Sequence, residues 1–231
     1  MDRRRFRRAM RVLTKTYPVD DWSRGMTPFE ILISTMLSQS TTVANERRGM
    51  EGLRAAFPRI EPAVLATASI PRIQRAIWHA GLARQKARRI RDVARVVQGE
   101  WGGTMDRVLA RPVAEARAAL MGLPGVGPKT ADIVLAMAAG YPTFPVDTHI
   151  ARIAKRWRLA QGQDYEAIRT ALERWTAAED RKAWHLALIA HGRALCTARR
   201  PRCSQCPVAA DCDWFLSSVR GFNKGLRKAR R

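Results

Sequence analysis

The sequence predicts an all-α protein, and three observations carry the prediction. No stretch of four or more residues alternates apolar and polar side chains, so nothing reads as a half-buried strand. Apolar residues recur instead at spacings of three and four. Proline and glycine cut the chain into helix-length pieces, without an internal repeat or a low-complexity tract.

At the N-terminus Phe6, Met10 and Leu13 fall at helical spacing with arginines between them, which predicts an amphipathic helix with a basic face. The segment lacks the apolar core of a secretory signal; an Arg-rich transit peptide is the alternative reading. Thr27-Pro28 offers an N-cap and a proline at the first helical position, followed by Ile31, Ile33, Ser34, Leu37 and then Val43. Pro58, Pro62 and Pro71 break the next stretch into short helices. Gln85 to Gln98 predicts a basic amphipathic helix with Ile90, Val93, Val96 and Val97 inward. Val113 to Met121 predicts another. After Leu123-Pro124-Gly125-Val126-Gly127 a helix opens at Pro128, with a core stripe of Ala131, Val134, Leu135 and Ala138. Tyr141 to Pro145, with two prolines, is a loop. Helix resumes at Ile150 and again from Tyr165 to Leu195, and the tail from Arg220 to Arg231 reads as loosely held. No run of about 18 apolar residues exists, so no membrane span is expected.

The chain sets 42 Lys+Arg against 20 Asp+Glu over 231 residues, a formal net charge of +22 and a pI near 11.4. An enzyme of small metabolites has no need of so large a self-repelling field. A protein that sits on a polyanion gains counterion release from each phosphate contact, so nucleic acid is the expected partner. The hydrophobic fraction of 46% is ordinary, and a chain this long buries roughly 70% of its unfolded surface, which excludes a bare basic tail. Length allows one large domain or two small ones. Of the cations 35 are arginine and 7 lysine. Arginine is the better phosphate clamp; lysine alone can lose its proton and act as an amine nucleophile.

Cys196, Cys203, Cys206 and Cys212 have the spacing C-x6-C-x2-C-x5-C. A chain of this size has no need of a disulfide framework, so a metal site in a reducing compartment is expected. Four thiolates can converge on zinc, although zinc sites usually use two C-x2-C pairs, or on a [4Fe-4S] cluster, and spacing leaves both open. Arg199, Arg200 and Arg202 give the first loop a cationic surface that suits phosphate.

The pentapeptide Leu123 to Gly127 lies between two helices. Its glycines permit positive φ and close approach of a backbone, and it feeds a helix N-terminus able to hold a phosphate; a plain helix–helix corner is the alternative. Lys129, in the first turn of that helix, faces the positive end of the dipole, which disfavours the ammonium and prepares an amine nucleophile. A solvated lysine on phosphate is the other reading. Eighteen residues on, Val146-Asp147-Thr148-His149 ends the Pro-containing loop, and Asp147 reads as an N-cap or as a catalytic carboxylate.

LPGVGPKTADIVL, VDTHIARIAKR and the four-cysteine run, in that order, resemble the helix-hairpin-helix DNA glycosylases with a Gly/Pro-Asp loop, and most closely the endonuclease III family, over residues 27 to 212. The resemblance implies a six-helix barrel at 27–140 and a discontinuous cluster domain of 1–26 and 141–231, with the lesion pocket in the cleft between them. It implies a [4Fe-4S] cluster on Cys196, Cys203, Cys206 and Cys212. It also implies a monomer acting on double-stranded DNA that carries damaged bases or abasic sites, in the cytoplasm, and at the nucleoid if the cell is bacterial or archaeal. Lys129 stands at the family's nucleophile and Asp147 at its essential aspartate. Gln39 stands at the residue that fills the hole left by a flipped base, and Leu82 at the wedge opposite the lesion; their alternatives are a polar helix end and a core leucine. Leu123, Gly125, Val126, Gly127, Thr130 and His149 fall on the DNA-contacting surface.

Two positions depart from the family pattern. Met121 stands where a glutamate is common and Thr42 where an aspartate is common, and both positions contribute to the family's pocket. The expected activity is base excision with strand nicking at an abasic site, an oxidised pyrimidine being the expected substrate. A monofunctional glycosylase for mismatched or alkylated bases and a non-catalytic DNA-binding module are the competing readings. Lys129 argues against the first of these, and the pair of Lys129 and Asp147 against the second.

Overall fold

The computed structural model describes residues 1–18, 20–160, 162 and 164–218. The helices are α1 (Arg3–Thr16), α2 (Pro28–Ser38), α3 (Val43–Ala56), α4 (Pro62–Thr67), α5 (Ile70–Ala76), α6 (Ala83–Gly99), α7 (Asp106–Leu109), α8 (Val113–Met121), α9 (Pro128–Ala138), α10 (Thr148–Trp157), α11 (Tyr165–Trp175) and α12 (Arg181–Ala194). A helical stretch at 213–218 follows, and no strand occurs among the described residues. None of these helices is long and apolar enough to cross a membrane. The tail from Arg220 to Arg231 lies outside the described residues. The chain divides into two compact units, Ser23–Tyr141 and a discontinuous one of Met1–Trp22 with Pro142–Arg231.

In the Ser23–Tyr141 unit, α2 starts with a reciprocal cap. The Thr27 hydroxyl accepts from the Glu30 N–H at 3.2 Å and the Glu30 carboxylate accepts from the Thr27 N–H at 2.9 Å, with Pro28 next in line. Its residues Phe29 and Ile31 to Leu37 are all buried, and it packs against α3 and α9. The helix stops at Ser38, and Val43 belongs to α3, whose N-cap is Thr42: its hydroxyl accepts from the Asn45 N–H at 3.3 Å. Pro62 and Pro71 sit in the first turns of α4 and α5. On α6, Ile90, Val93 and Val97 are buried as expected, but Val96 is only half-buried and Ala87 and Ala94 complete the inner face.

The sequence suggested a stripe on α9; the structure buries every residue from Thr130 to Met137 and leaves Ala138 half-buried. That burial encloses Asp132. Its carboxylate accepts from Nε and Nη2 of Arg117 on α8 at 2.8 and 3.2 Å, a two-pronged ion pair that joins the helices flanking the Leu123–Gly127 turn.

The other unit is organised around Phe6 of α1. This fully buried ring meets Trp157, Trp175 and Trp184 edge-on, with centroids 6.1, 5.5 and 5.5 Å away. The arrangement explains one departure from the sequence reading. Residues 165–195 are not one helix: α11 ends at Trp175, Thr176 is extended, and a 3-10 turn at Ala178–Asp180 precedes α12. Nine residues apart, Trp175 and Trp184 would face opposite ways on a single straight helix. The break lets both reach Phe6.

Phe6→Ala is expected to cost about 3–5 kcal/mol of folding stability, because it deletes the ring on which the three tryptophans converge. Chemical denaturation of the two proteins measures this, and a loss below about 1 kcal/mol would show that the cluster closes without the ring.

Candidate active site

The Leu123–Gly127 turn is held from inside. The Val126 N–H donates to the Leu123 carbonyl at 3.1 Å, and the Leu123 and Val126 side chains are buried, as is Thr130. These three side chains therefore belong to the core rather than to a ligand-contacting surface, and what the turn exposes is backbone at Gly125 and Gly127. Only Gly125 needs its positive φ, +79°. A side chain there would also strike Arg89, whose Cδ lies 2.6 Å from the position of a Cβ. Gly127 is extended, and a Cβ on it would meet nothing within 4 Å. The fold therefore does not require glycine at 127, whereas close approach of an anion to the start of α9 does.

Lys129 follows in the first turn of α9, half-buried, and makes no hydrogen bond or ion pair within its unit. Beside it the Gln39 side chain ends α2 and reaches across: its Nε2 donates to the Gly125 carbonyl at 3.1 Å and to the Thr130 hydroxyl at 3.3 Å. Gln39, the glycine turn and the start of α9 thus form one group. Leu82 is no core leucine. It is 58% exposed and holds a left-handed conformation, φ +49°, that costs a bulky residue about 1–2 kcal/mol.

One residue that sequence reasoning missed holds this arrangement in place. Lys86 on α6 is 2% exposed, and its ammonium donates to the carbonyls of Leu37 at 2.6 Å, Gln39 at 2.7 Å and Ala80 at 2.8 Å. Burial lowers its pKa from the ordinary lysine value. Three carbonyl oxygens replace the water it gave up. The signal was present in the sequence, since Lys86, Ile90, Val93 and Val97 are spaced i, i+4, i+7, i+11 and so share the inner face.

In the other unit the loop at 142–145 is clamped by three side chains. Glu173 accepts from the Phe144 N–H at 3.1 Å, His185 Nδ1 donates to the Pro145 carbonyl at 2.9 Å, and Arg181 donates to the Pro142 carbonyl. The loop delivers Asp147, half-buried, as the N-cap of α10, its Oδ1 accepting from the Ile150 N–H at 2.8 Å. His149 packs against Gly192, where a Cβ would come within 2.7 Å of the histidine Cβ. Its Nδ1 accepts from Arg152 at 3.0 Å, so its proton sits on Nε2. Burial lowers its pKa.

Cys196, Cys203, Cys206 and Cys212 are unpaired and line one pocket together. Four thiols on one pocket are the donor set of a four-iron cluster and equally of a zinc ion. Arg156 donates to the Cys196 sulfur at 2.9 Å, and the other side of the pocket carries His191, its Nε2 3.8 Å from Cys206. Burial pushes the His191 imidazole down to about 4.

A glycine turn opening onto a helix N-terminus with an amine beside it is a helix-hairpin-helix anion site, and the four-cysteine pocket is a metal-binding donor set. Residues 33–178 match the HhH-GPD superfamily of base excision DNA repair proteins, and residues 196–212 match the iron–sulfur binding domain of endonuclease III. Endonuclease III of Escherichia coli K12 is 36% identical over 188 residues, 81% of this chain and 84% of that one. That of Bacillus subtilis is 33% identical over 186 residues, 80% of each chain. A trapped endonuclease III–DNA covalent intermediate superimposes with a TM-score of 0.82 at 27% identity, covering 95% of this chain and 99% of the other. The chain belongs to the endonuclease III family of DNA glycosylases, with the iron–sulfur centre of that family on its four cysteines.

Two measurements test this geometry. Purified protein is expected to absorb broadly in the visible blue and to contain about four irons per chain, both lost in Cys206→Ser; a colourless, zinc-loaded protein would refute the cluster. Lys86→Met keeps the stem but strands three buried carbonyls. It is expected to lower stability by about 2–4 kcal/mol in chemical denaturation, and an unchanged midpoint would remove the role given to the ammonium.

Proposed function

We propose that the enzyme excises a damaged base from duplex DNA and then nicks the strand at the abasic site, with Lys129 as nucleophile. The observation that carries this reading is the state of Lys129: an amine without a partner in its unit, at the N-terminus of a helix whose glycine turn stands open to a phosphate. Only the neutral amine attacks carbon, so a base must take up a proton from Lys129.

The chemistry balances without a redox partner. The target nucleotide is flipped from the stack, Leu82 wedging the duplex and Gln39 occupying the vacated space. The Lys129 nitrogen forms a bond to C1′ as the glycosidic bond breaks; the bonding pair leaves with the base, which takes up a proton. Asp147 accepts the proton that Lys129 gives up or faces the positive charge developing at C1′. The nitrogen lone pair then expels O4′, which takes up a proton as the sugar ring opens; the resulting iminium at C1′ acidifies C2′, whose proton is lost as the 3′ phosphate departs, and water then releases Lys129. The N–H groups of Gly125 and Gly127 bind a phosphate of the damaged strand, since those of Leu123 and Val126 already donate to backbone carbonyls and Pro124 has none.

An oxidised pyrimidine is the proposed substrate class, supported by kinship with endonuclease III and by the lysine. Neither Thr42, whose hydroxyl caps α3, nor Met121 brings a carboxylate to the lesion, so neither position supplies a charged acceptor for the base's N–H groups. The enzyme acts as a monomer on chromosomal DNA in the cytoplasm.

Borohydride added to the protein with duplex carrying thymine glycol or an abasic site is expected to trap a covalent protein–DNA adduct, absent in Lys129→Ala. No adduct from the wild type would overturn the lyase reading, and an adduct in the variant would move the nucleophile elsewhere.

A further inference from the structure

We propose that the arginine row Arg3, Arg4, Arg7 and Arg11 of α1 is a second binding surface for the phosphate backbone of duplex DNA, independent of any lesion. It belongs to the unit that carries the cysteines, and it rests on the proposed function only for the choice of DNA as the polyanion.

Helix α1 carries six arginines, and the fold uses two of them. Arg5 donates to the Asp211 carbonyl at 2.7 Å and pairs with Asp213 at 2.9 Å, while Arg8 Nε donates to the Asp211 carboxylate at 3.1 Å. The guanidinium groups of Arg3, Arg4, Arg7 and Arg11 are exposed and make no hydrogen bond or ion pair among the described residues. They cannot turn inward, because Phe6, Ala9, Met10 and Leu13 on the other face of the helix are fully buried. Arg3, Arg7 and Arg11 follow one another at four-residue intervals, where like charges repel and weaken a helix. That repulsion adds nothing to folding, and its relief requires an anion from outside the chain.

The composition of the row selects the anion. The four side chains enclose an open hollow of about 360 Å³ that no acidic, aromatic or aliphatic residue lines. A single strand needs an exposed ring on which its bases stack, and the hollow has none. A membrane surface needs an apolar helix face to insert, and that of α1 is occupied by the core. What fits is a backbone of regularly spaced phosphates, each of which a planar guanidinium grips with two N–H groups.

The spacing agrees with a duplex. From Arg3 to Arg11 the helix rises roughly 12 Å, at about 1.5 Å per residue. One strand carries a phosphate about every 3.4 Å along the duplex axis, so the row faces about four phosphates with four guanidinium groups. The acid nearest in sequence, Asp2, is engaged as the N-cap of α1, accepting from the Arg5 N–H at 2.9 Å. Contacts of this kind read no base, so the surface supplies binding that is the same on damaged and undamaged DNA.

The test uses full-length, cluster-loaded protein and an undamaged duplex, with affinity read by fluorescence anisotropy from about 50 to 200 mM salt. Arg3→Gln, Arg4→Gln, Arg7→Gln and Arg11→Gln combined, which keep helix propensity, are expected to make the slope of log affinity against log salt shallower by about 3–4. Over that range wild type then loses about a hundredfold more affinity than the variant. The same four positions changed to lysine are expected to keep the wild-type slope, because counterion release follows charge. All four side chains are exposed, so both variants keep the wild-type melting curve. Single-turnover nicking of an abasic duplex at saturating protein is expected to be unchanged. A slope altered by less than about one unit would overturn the surface. So would an equal change on replacing Arg75, Arg107, Arg111 and Arg174, exposed arginines elsewhere, by glutamine, which would make the effect one of net charge. A slower saturated rate would place the row in the chemical step and overturn it likewise. Binding to anionic phospholipid vesicles that only the glutamine variant loses, with the duplex slope unchanged, would assign the row to a membrane instead. Wild type that binds no duplex at all would overturn the DNA-repair reading beneath the proposal.

Discussion

One ammonium group fixes how the end of α2 and the turn before α6 are arranged in the Ser23–Tyr141 unit. Lys86 gathers three carbonyls, from the end of α2 and the turn before α6, onto a single point. Lysine suits this better than the arginine that dominates the chain. Its three donors radiate from one atom, whereas a guanidinium spreads five donors over a plane and serves two-pronged acceptors such as carboxylate and phosphate. From that point two consequences spread. The α2 end is fixed so that the Gln39 amide reaches the Gly125 carbonyl, and the turn before α6 is fixed so that Leu82 stays exposed and left-handed. A strained residue persists only where its surroundings over-determine it, and three hydrogen bonds donated by a buried ammonium do so.

The charge of the molecule has a similar division of labour. Its few acids are largely committed to structure. Asp132 joins the hairpin helices through Arg117, Asp211 takes Arg8 while its own carbonyl takes Arg5, Glu173 takes Arg169, and Asp21 takes Lys182. Asp2, Asp147 and Asp164 cap helices. Arginines left over from these pairings face outward, such as Arg3, Arg4, Arg7 and Arg11 along one side of α1. Of the arginines from 84 to 95, Arg95 donates to the Ala66 carbonyl and serves the fold, while Arg84 and Arg88 line an open groove with Leu82. The surplus of +22 is therefore an external field on a structure whose internal ion pairs are few and specific.

Much of this was legible where local chemistry decides the outcome. Thr27-Pro28 starts a helix because the hydroxyl and the ring each satisfy a requirement of the first turn, and no tertiary contact can improve on that. Legibility failed where a distant contact decided. The break at 176–180 contains neither proline nor glycine and exists because Trp175 and Trp184 share Phe6. Leu123, Val126 and Thr130 were placed on the contacting surface because the motif contains them, yet the turn folds their side chains inward and offers backbone. Lys86 is one of only seven lysines, but its scarcity does not reveal a structural role. Its place on the apolar stripe was visible in the spacing, but the carbonyls that make the burial tolerable come from residues 37, 39 and 80, and no window of sequence shows them meeting. Gly127 shows the opposite case: the fold makes no demand on it, so its meaning lies in what binds there.

The cysteine loop illustrates how a segment without a core of its own is made rigid. Between Cys196 and Cys212 there are only two 3-10 turns, and few of the loop's side chains are buried, chiefly Val208 and Asp211. Apolar burial of that extent cannot offset the entropy of ordering 17 residues. Arginines supply part of the difference by capturing backbone. Arg152 and Arg156 donate to the Cys196 carbonyl at 2.8 and 3.2 Å, Arg156 also to that of Ala198, and Arg5 to that of Asp211. Such bonds fix the two ends of the loop, near 196 and 211, and leave its middle to the metal centre, which ties four points of the backbone to one body. Arg199 and Arg200, exposed within the first span, inherit their positions from that closure. The cluster thus acts on the loop as a staple acts on a small domain, and the same class of side chain that suits phosphate outside holds the loop's ends within.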